Sequence, residues 1–420
     1  MSLAVAVASD RSTASARLRE CPDCGLLQRM PPLPRGAVAR CPRCGAVLRR
    51  RRHDPAGRAL ALAVAGLLLF AIALTEPFMD VDVRGVGRAM TLVGGPVALE
   101  QRGYWPLAVA VLLTTLGAPL ARLLALAYVL ALLRLDRPPR HLYAVFRWSE
   151  WLDRWAMAEV FLLGAFVAYT RLVAMAQVEV GAAVYALGAL TLALAAADSA
   201  LDHEAVWQGL ERKGVVAGRD PGEPAGTPFG CDSCGLVSRA TRACPRCGAV
   251  ARRRKPDSMA RSWALLTAAA VLYIPANTLP VMAYVNLGHS QDATILGGVA
   301  ELADEGMWPL AALVFFASIT VPLLKIIGLG FLLLSTGRGA RRGLLARTRL
   351  YRIVDSVGRW SMIDVFMISI LTALVRMGRL VSIDPGPAAV AFCAVVVLSI
   401  LAAAGFDPRL MWDAARHDPP

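Results

Sequence analysis

The chain has 420 residues, of which 56% are hydrophobic and only 18% are charged, and its mean hydropathy is +0.52. This balance is typical of an integral membrane protein. A formal net charge of +14 would also suit a nucleic-acid-binding protein, but the basic residues cluster beside apolar stretches and no stacking aromatics interleave with them. We therefore expect a membrane protein without a nucleic-acid partner.

The first predicted element is a cysteine module. The only apolar run before it, LAVAVA, ends before Asp10 and is too short for the core of a signal peptide, so we expect an uncleaved, cytoplasmic N-terminus. The module consists of two C-x-x-C-G knuckles, and a similar module occurs in the middle of the chain. The eight cysteines of the two modules are Cys21, Cys24, Cys41 and Cys44, then Cys231, Cys234, Cys244 and Cys247.

Each knuckle is a tight turn that presents two thiolates to one ion, and the glycine relieves crowding beyond the second ligand. Two knuckles supply the closed tetrahedral shell of a structural zinc ion, so the sequence predicts two zinc ribbons. Because that shell has no open position, we expect scaffolding or partner docking rather than catalysis. Iron in a rubredoxin-like site and a thiol redox switch are alternatives, whereas stable disulfides are disfavoured in the cytoplasm.

Eight apolar runs of about 20 residues, the length that crosses roughly 30 Å of hydrocarbon, predict transmembrane helices in two groups of four. The predicted spans are 59–75, 105–133, 156–173, 181–199, 262–284, 308–335, 361–378 and 387–405. Basic clusters lie before odd-numbered spans or after even-numbered ones, at 49–52, 134–147, 252–255 and 338–352. This positive-inside pattern places both termini and both ribbons in the cytoplasm.

The chain also contains an internal duplication. CPRCGAVLRRRR at 41–52 recurs 203 positions later as CPRCGAVARRRK at 244–255. RWAMAEVF at 154–161 recurs 205 positions later as RWSMIDVF at 359–366. We therefore expect two tandem copies of one unit, a ribbon followed by four spans, in parallel orientation because the number of spans is even.

The predicted fold is an all-α polytopic membrane protein with two small ribbons. Its expected segments are an N-terminal zinc ribbon (1–54), a first four-helix unit (55–205), a linker (206–230), a second zinc ribbon (231–256), a second four-helix unit (257–408) and a C-terminal tail (409–420). The linker is assigned because the segment is rich in Gly and Pro.

Charged residues inside the spans are informative, because each costs about 2.5–3.5 kcal/mol on insertion scales. Arg122 corresponds to Lys325 at the 203 offset, and Glu159 corresponds to Asp364 at the 205 offset. We expect the basic residue of each second span to meet the acidic residue of the third. The alternatives are that Lys325 snorkels to the interface and that Asp364 caps a helix. Hydroxyls within the second group of spans are found at Ser318, Thr320 and Ser399.

Motifs for catalysis are absent from the sequence. It contains no G-x-x-x-x-G-K-[ST] phosphate loop, no G-x-S-x-G elbow and no H-E-x-x-H zinc motif. We therefore expect no enzyme, and any uphill transport would draw on an ion gradient or on a partner protein.

Two cysteine modules, each followed by four spans, together with GRWSMIDVF at 358–366 and a WPL sequence after a Gly-Gly loop, resemble the paraquat-inducible protein A family. The resemblance implies an inner-membrane protein with zinc in its ribbons and tetraspanin-like four-span units. It implies a separate periplasmic partner with mammalian-cell-entry (MCE) domains and a role in moving phospholipids between bacterial membranes. The family's polar positions fall on Ser318, Lys325, Asp364 and Ser399.

The first half departs from the family pattern, with WAMAEVF at 155–161 and Arg122 in place of a lysine. We therefore expect the second membrane half to load or extract phospholipid, with Lys325 and Asp364 sensing protonation or binding a headgroup. The competing interpretation is a membrane-anchored regulatory or scaffold protein whose ribbons sense zinc or oxidants.

Overall fold

The computed structural model describes residues 17–52, 54–83, 86–173, 177–217, 227–239, 242–286, 289–374 and 381–415. The first ribbon contains two antiparallel hairpins, made of β1 (Arg17–Glu20) with β2 (Leu27–Met30) and of β3 (Val38–Arg40) with β4 (Val47–Arg50). The second ribbon contains one short hairpin, made of β8 (Phe229–Gly230) with β9 (Val237–Ser238). The ribbons therefore consist mainly of local turns and contain little regular secondary structure.

The first membrane half follows the first ribbon. Its elements are α1 (Pro55–Thr75), β5 (Met79–Val83), β6 (Val86–Met90), α2 (Gly94–Gln101), α3 (Trp105–Leu112), α4 (Ala118–Leu132), α5 (Leu142–Leu152), α6 (Ala158–Val173), β7 (Gln177–Val180), α7 (Ala182–Ala200) and α8 (His203–Arg212). The helix α8 begins just before the predicted linker, of which residues 218–226 lie outside the described part of the chain.

The second membrane half has elements in the same order. They are α9 (Ser258–Thr278), β10 (Met282–Asn286), β11 (His289–Ala293), α10 (Ile295–Asp304), α11 (Trp308–Phe315), α12 (Val321–Gly337), α13 (Leu344–Val357), α14 (Ile363–Leu374), β12 (Val381–Pro385), α15 (Pro387–Gly405) and α16 (Arg409–Ala414). Long helices pair within each half, α1 with α7 and α9 with α15.

Each half contains a three-stranded antiparallel sheet, which the all-α prediction missed. The strand orders are β6-β5-β7 and β11-β10-β12. In the first sheet Met79 lies opposite both Met90 and Val180, and in the second Met282 lies opposite both Ala293 and Pro385. The strands follow the first long helix of each half and precede its last one, so each sheet ties the ends of these helices together.

Seven described segments are long and apolar enough to cross a membrane, where the sequence predicted eight spans. They are Pro55–Thr75, Trp105–Leu132, Ala182–Ala200, Ser258–Thr278, Trp308–Gly337, Leu344–Leu374 and Pro387–Gly405. The third predicted span is shorter than expected, because α6 has 16 residues and is about 24 Å long at 1.5 Å per residue. The segment Leu344–Leu374 combines α13, a 3₁₀ turn and α14, and residues 375–378 of the seventh predicted span lie outside the described residues.

The second span of each half contains a π-helical turn just before its proline. The turns are Leu113–Gly117, before Pro119, and Phe316–Thr320, before Pro322. Proline lacks an N–H and its ring clashes with the preceding turn, so the helix widens locally. Backbone carbonyls that lose their helical partner then accept hydrogen bonds from other donors. The amide of Met157 donates to the Thr114 carbonyl at 3.1 Å in this way.

The helix α14 lies at the centre of the molecule. All 12 of its residues are buried, and it packs against α6, α2 and α3 of the first half as well as against its own half. At its crossing with α6, the Phe161 and Phe366 ring centroids lie 5.5 Å apart, and a Cβ added at Gly164 would lie 2.9 Å from Phe366 Cβ. The missing side chain at Gly164 allows this close approach between the halves.

Candidate functional site

The two four-cysteine sets form compact clusters. Within each set the four Sγ atoms all lie within 4.8 Å of one another. The sulfurs of opposite knuckles lie 3.5 or 3.6 Å apart, in the pairs Cys21–Cys44, Cys24–Cys41, Cys231–Cys247 and Cys234–Cys244. Four sulfurs around a zinc ion at about 2.3 Å would lie about 3.8 Å apart, whereas a disulfide requires about 2.05 Å. The eight thiols therefore fit two tetrahedral metal ions and are not disulfide-bonded.

The backbone of each knuckle shows why the sequence places a glycine after its second cysteine. The four glycines have φ between +65° and +72°, a conformation that side chains rarely adopt, and they are Gly25, Gly45, Gly235 and Gly248. In the first knuckle the Gly25 amide donates to the Cys21 carbonyl at 3.0 Å, and this turn directs both thiols to one side.

In the first membrane half, Arg122 is buried and lies in an ion cluster with two partly exposed carboxylates. Its side chain is 7% exposed and pairs with Asp153 at 2.8 Å and with both carboxylate oxygens of Asp198. Asp198 belongs to α7, and Asp153 immediately follows α5. The guanidinium therefore joins three elements of the first half through two carboxylates.

The predicted pairing of Arg122 with Glu159 is wrong. Glu159 lies in the first turn of α6, and its carboxylate is 3.5 Å from the Arg359 guanidinium of the other half. Both side chains are about two-fifths exposed, so this pair contributes little stability. Arg122 pairs with Asp153 and Asp198 instead of Glu159. These two aspartates lie on other elements than Arg122, so the residue spacing within a single span could not reveal them.

In the second membrane half, Lys325 is buried on α12. Its Nζ donates to Ser399 Oγ on α15 at 2.7 Å, and Ser399 Oγ donates in turn to the Val396 carbonyl at 2.8 Å. Gly358 lies on the other side, where an added Cβ would be 3.4 Å from Lys325 Nζ. Lys325 is only 3% exposed, so its side chain does not snorkel to solvent.

Asp364 is buried on α14 and does not contact Lys325. Its carboxylate lies beside Ser318 Oγ of the neighbouring π-helical turn, but none of these three oxygens makes a hydrogen bond of standard geometry among the described residues. Asp364 lines a cavity of about 20 Å³, which has room for about one water molecule, between the halves. Arg171 of α6 lines the same cavity. The expected Lys325–Asp364 pair is therefore replaced by two separate polar positions.

The same family model, Paraquat-inducible protein A, matches both membrane halves in turn, at residues 57–211 and 259–416. The chain belongs to the paraquat-inducible protein A family. This confirms the resemblance inferred from the sequence motifs.

Several bacterial relatives resemble nearly the whole chain. The Intermembrane transport protein PqiA of Escherichia coli (strain K12) is 35% identical over 399 residues, covering 94% of this chain and 95% of that protein. The Lipophilic envelope-spanning tunnel protein A of the same strain is 34% identical, covering 94% and 91%. The Probable intermembrane transport protein of Haemophilus influenzae is 26% identical, covering 94% and 96%. No solved structure matches the chain. The relatives carry transport names, in agreement with the prediction of a protein that is not an enzyme.

The structure adds polar positions that the sequence analysis did not single out. Hydroxyls without a hydrogen-bond partner among the described residues are buried along α14 and the turn before it, at Ser361, Ser369 and Thr372. With Asp364 they are spaced three, five and three residues apart within an apolar run, and these polar residues in an otherwise apolar stretch were the available signal. Asp364 is therefore one of several buried polar groups on α14 and the turn before it that lack a hydrogen-bond partner within the described part of the chain.

A larger cavity, of about 750 Å³, lies between the ribbons and the helices. It is lined by both ribbons and by residues around the ends of α7, α13 and α15. Charged residues from both ribbons and from the helices line much of this cavity, whereas the cavity at Asp364 has room for about one water molecule.

Proposed function

We propose that the chain is an inner-membrane component of a bacterial lipid transport system that loads or extracts phospholipid and exchanges it with a periplasmic MCE-domain protein. Family membership and the names of the relatives, which refer to intermembrane transport and to an envelope-spanning tunnel, support this role. No MCE domain was identified in the sequence, so the partner would be a separate protein.

The observation that carries the proposal is the buried Lys325–Ser399 pair. A buried ammonium that donates to one neutral hydroxyl keeps donors available for an anion, and lysine is a common ligand of phosphate. Asp364, Ser318 and Ser399 supply further polar atoms in the same membrane half. In our proposal Lys325 receives the phosphate of a lipid headgroup, and Asp364 exchanges a proton as the lipid enters or leaves.

The two membrane halves would have different roles. Arg122 already pairs with two carboxylates, so an anion would have to displace Asp153 and Asp198 to reach it. We propose that the first half is a structural scaffold and that the second half handles lipid. Glu159, which pairs across to Arg359, would help to hold the halves together.

We further propose that the chain is a tandem repeat of two tetraspanin-like units with the segment limits predicted from the sequence. Both ribbons and both termini would be cytoplasmic. Each four-cysteine set would hold a zinc ion, which supplies much of the folding free energy of a module with so little regular structure.

The test is affinity purification of the detergent-solubilised protein from its native membrane, with mass spectrometry of copurifying proteins and lipids. The wild type should bring down an MCE-domain protein and bound phospholipid, and Lys325→Met should retain the protein partner but lose lipid. Ser335→Ala is the matched control, because Ser335 on the same helix donates only to the Leu332 carbonyl of its own helix.

Two outcomes would contradict the proposal. Equal lipid content in Lys325→Met and wild type would remove Lys325 from the lipid site. Recovery of neither partner nor lipid, from protein that still holds two zinc ions per chain, would favour the regulatory or scaffold role.

A further inference from the structure

The first ribbon lies against the second membrane half. Its cysteines and Leu48 form an apolar cluster with residues of that half, including Leu329, Phe406, Met411 and Trp412. The Arg43 guanidinium lies 4.1 Å above the Trp412 ring. The second knuckle is also held by α13, where Arg352 Nη2 donates to the Cys44 carbonyl at 3.1 Å.

The second ribbon lies against the first membrane half in a matching way. Arg147 of α5 donates to the Cys247 carbonyl at 3.0 Å, and the Arg246 guanidinium lies 5.6 Å from the Trp207 ring. Arg246 is 1% exposed and pairs with Glu204 of α8 at 2.9 Å. The second knuckle of this ribbon is therefore fixed by α5 and α8, which belong to the other half of the sequence.

These contacts are equivalent under the internal duplication. Knuckle residues correspond at an offset of 203 and helix residues at an offset of 205, the two offsets that align the halves. The equivalent pairs are Arg43 with Arg246, Cys44 with Cys247, Arg147 with Arg352, and Trp207 with Trp412. An arginine on a tryptophan and an arginine on a cysteine carbonyl recur at both interfaces, so the docking is specific and not an accident of packing.

Each ribbon also contacts its own half, through α8, α16 and the turns before them. Arg19 pairs with Glu204 at 2.9 Å and Arg49 with Asp202 at 3.2 Å, while Arg254 pairs with Asp413 at 2.6 Å and Asp232 with Arg409 at 2.7 Å. The amide of Lys255 also donates to Asp407, the equivalent of Asp202, at 3.2 Å. These own-half contacts use different residues in the two copies, whereas the knuckle contacts with α5 and α13 repeat residue for residue.

We propose that the two ribbons are exchanged between the membrane halves, so that the metal in each ribbon holds the helices of the opposite half in place. The metal in the first ribbon would hold α13 and α16, and the metal in the second would hold α5 and α8. Gly358, directly after α13, lies against Lys325, so the first ribbon is connected to the polar site of the second half. The inference rests on these contacts and does not require that the chain moves lipid.

The physical basis is that the knuckles have little structure without their metal. Hairpins this short do not fold alone, so loss of the ion releases the backbone carbonyls of Cys44 or Cys247 from their arginines. The arginine and tryptophan on the opposite half then lose their partners, and the helices that carry them open more often.

The test uses two matched variants, Cys24→Ser in the first ribbon and Cys234→Ser in the second. The full chain is placed in phosphatidylethanolamine–phosphatidylglycerol nanodiscs, its metal content is measured, and amide hydrogen exchange is followed by mass spectrometry. Cys24→Ser should lose one metal ion and speed exchange in α13 by about fivefold or more, while α5 keeps its wild-type rate. The helices α8 and α16 are not used to discriminate, because each pairs with both ribbons. Cys234→Ser should give the reverse pattern.

Faster exchange in α5 after loss of the first ribbon's metal, faster exchange in α13 after loss of the second ribbon's metal, or an equal increase in α5 and α13, would overturn the proposal. Should Cys24→Ser fail to accumulate, Arg43→Ala keeps all eight thiols and removes the contact with Trp412. That variant should speed exchange in α16 and retain both metal ions, and unchanged exchange in α16 would equally count against the exchange of ribbons.

Discussion

Ser399→Ala tests the energetics of the buried Lys325 site. The substitution removes the hydroxyl that accepts from Lys325 Nζ at 2.7 Å, and Lys325 is only 3% exposed, so water does not readily replace it. Hydrogen bonds to charged groups contribute about 1.5–3 kcal/mol. At about 2–4 °C per kcal/mol for a domain of 150–250 residues, the melting temperature should fall by roughly 3–12 °C.

The assay is thermal unfolding of the purified protein in detergent, followed by fluorescence-detected size exclusion. Ser399→Thr keeps the hydroxyl and should stay near the wild type. Ser335→Ala, whose hydroxyl donates only within its own helix, should also change little. A double-mutant cycle with Lys325→Met isolates the pair, because replacing a buried charge with an apolar side chain of similar size is often neutral or stabilising.

In the Lys325→Met background, Ser399→Ala should therefore lower the melting temperature much less than in the wild type, since no buried charge is left without an acceptor. Equal losses in both backgrounds would refute the reasoning, because the serine would then act through packing. Equal stability of Ser399→Ala and Ser335→Ala would show that the Lys325 bond contributes nothing.

Three further perturbations test other parts of the structure. Gly164→Ala should destabilise the protein by about 1–3 kcal/mol, because the new Cβ would lie 2.9 Å from Phe366 Cβ, whereas Gly188→Ala has space and serves as the thermal-shift control. Burial alone would raise the pKa of the Asp407 carboxyl, but the Arg409 guanidinium more than offsets this and holds the pKa below its usual value. The stability that Asp407 contributes should thus be complete above about pH 5 and decline as the pH falls through its folded-state pKa, so the difference in melting temperature between wild type and Asp407→Asn should shrink in acid. Chelation of the ribbon metal should lower the melting temperature, readdition of zinc should restore it, and an unchanged melting temperature after metal loss would contradict a structural role.

Features that depend on local chemistry could be predicted from the sequence. The C-x-x-C-G spacing determines the ligand turns within five residues, and the structure brings each set of four thiols together. Apolar runs likewise revealed most of the spans. Each second span also contains a proline, and the distortion found there is a π-helical turn before Pro119 and Pro322, whose form depends on how the widened helix satisfies its carbonyls.

Features that depend on long-range contacts were missed. The partner of Arg122 could not be inferred from the repeat, because Asp198 belongs to a different helix and its equivalent in the second half is Ala403. The strands were missed for a related reason. MDVDV at 79–83 alternates polar and apolar residues as a strand does, but it is stable only because β7, almost 100 residues later, pairs with it.

The difference between Arg122 and Lys325 supports our proposal that lipid binds in the second half of the duplicated fold. A planar guanidinium with five donors satisfies Asp153 and Asp198 together and fixes the elements that carry them. An ammonium that donates to the neutral Ser399 gives up much less when a phosphate approaches. An incoming anion would compete with two carboxylates at Arg122 but with one hydroxyl at Lys325, so equal access would still favour binding in the second half. The first ribbon packs on that same second half, so under our proposals the ribbon that begins the chain would support the lipid site.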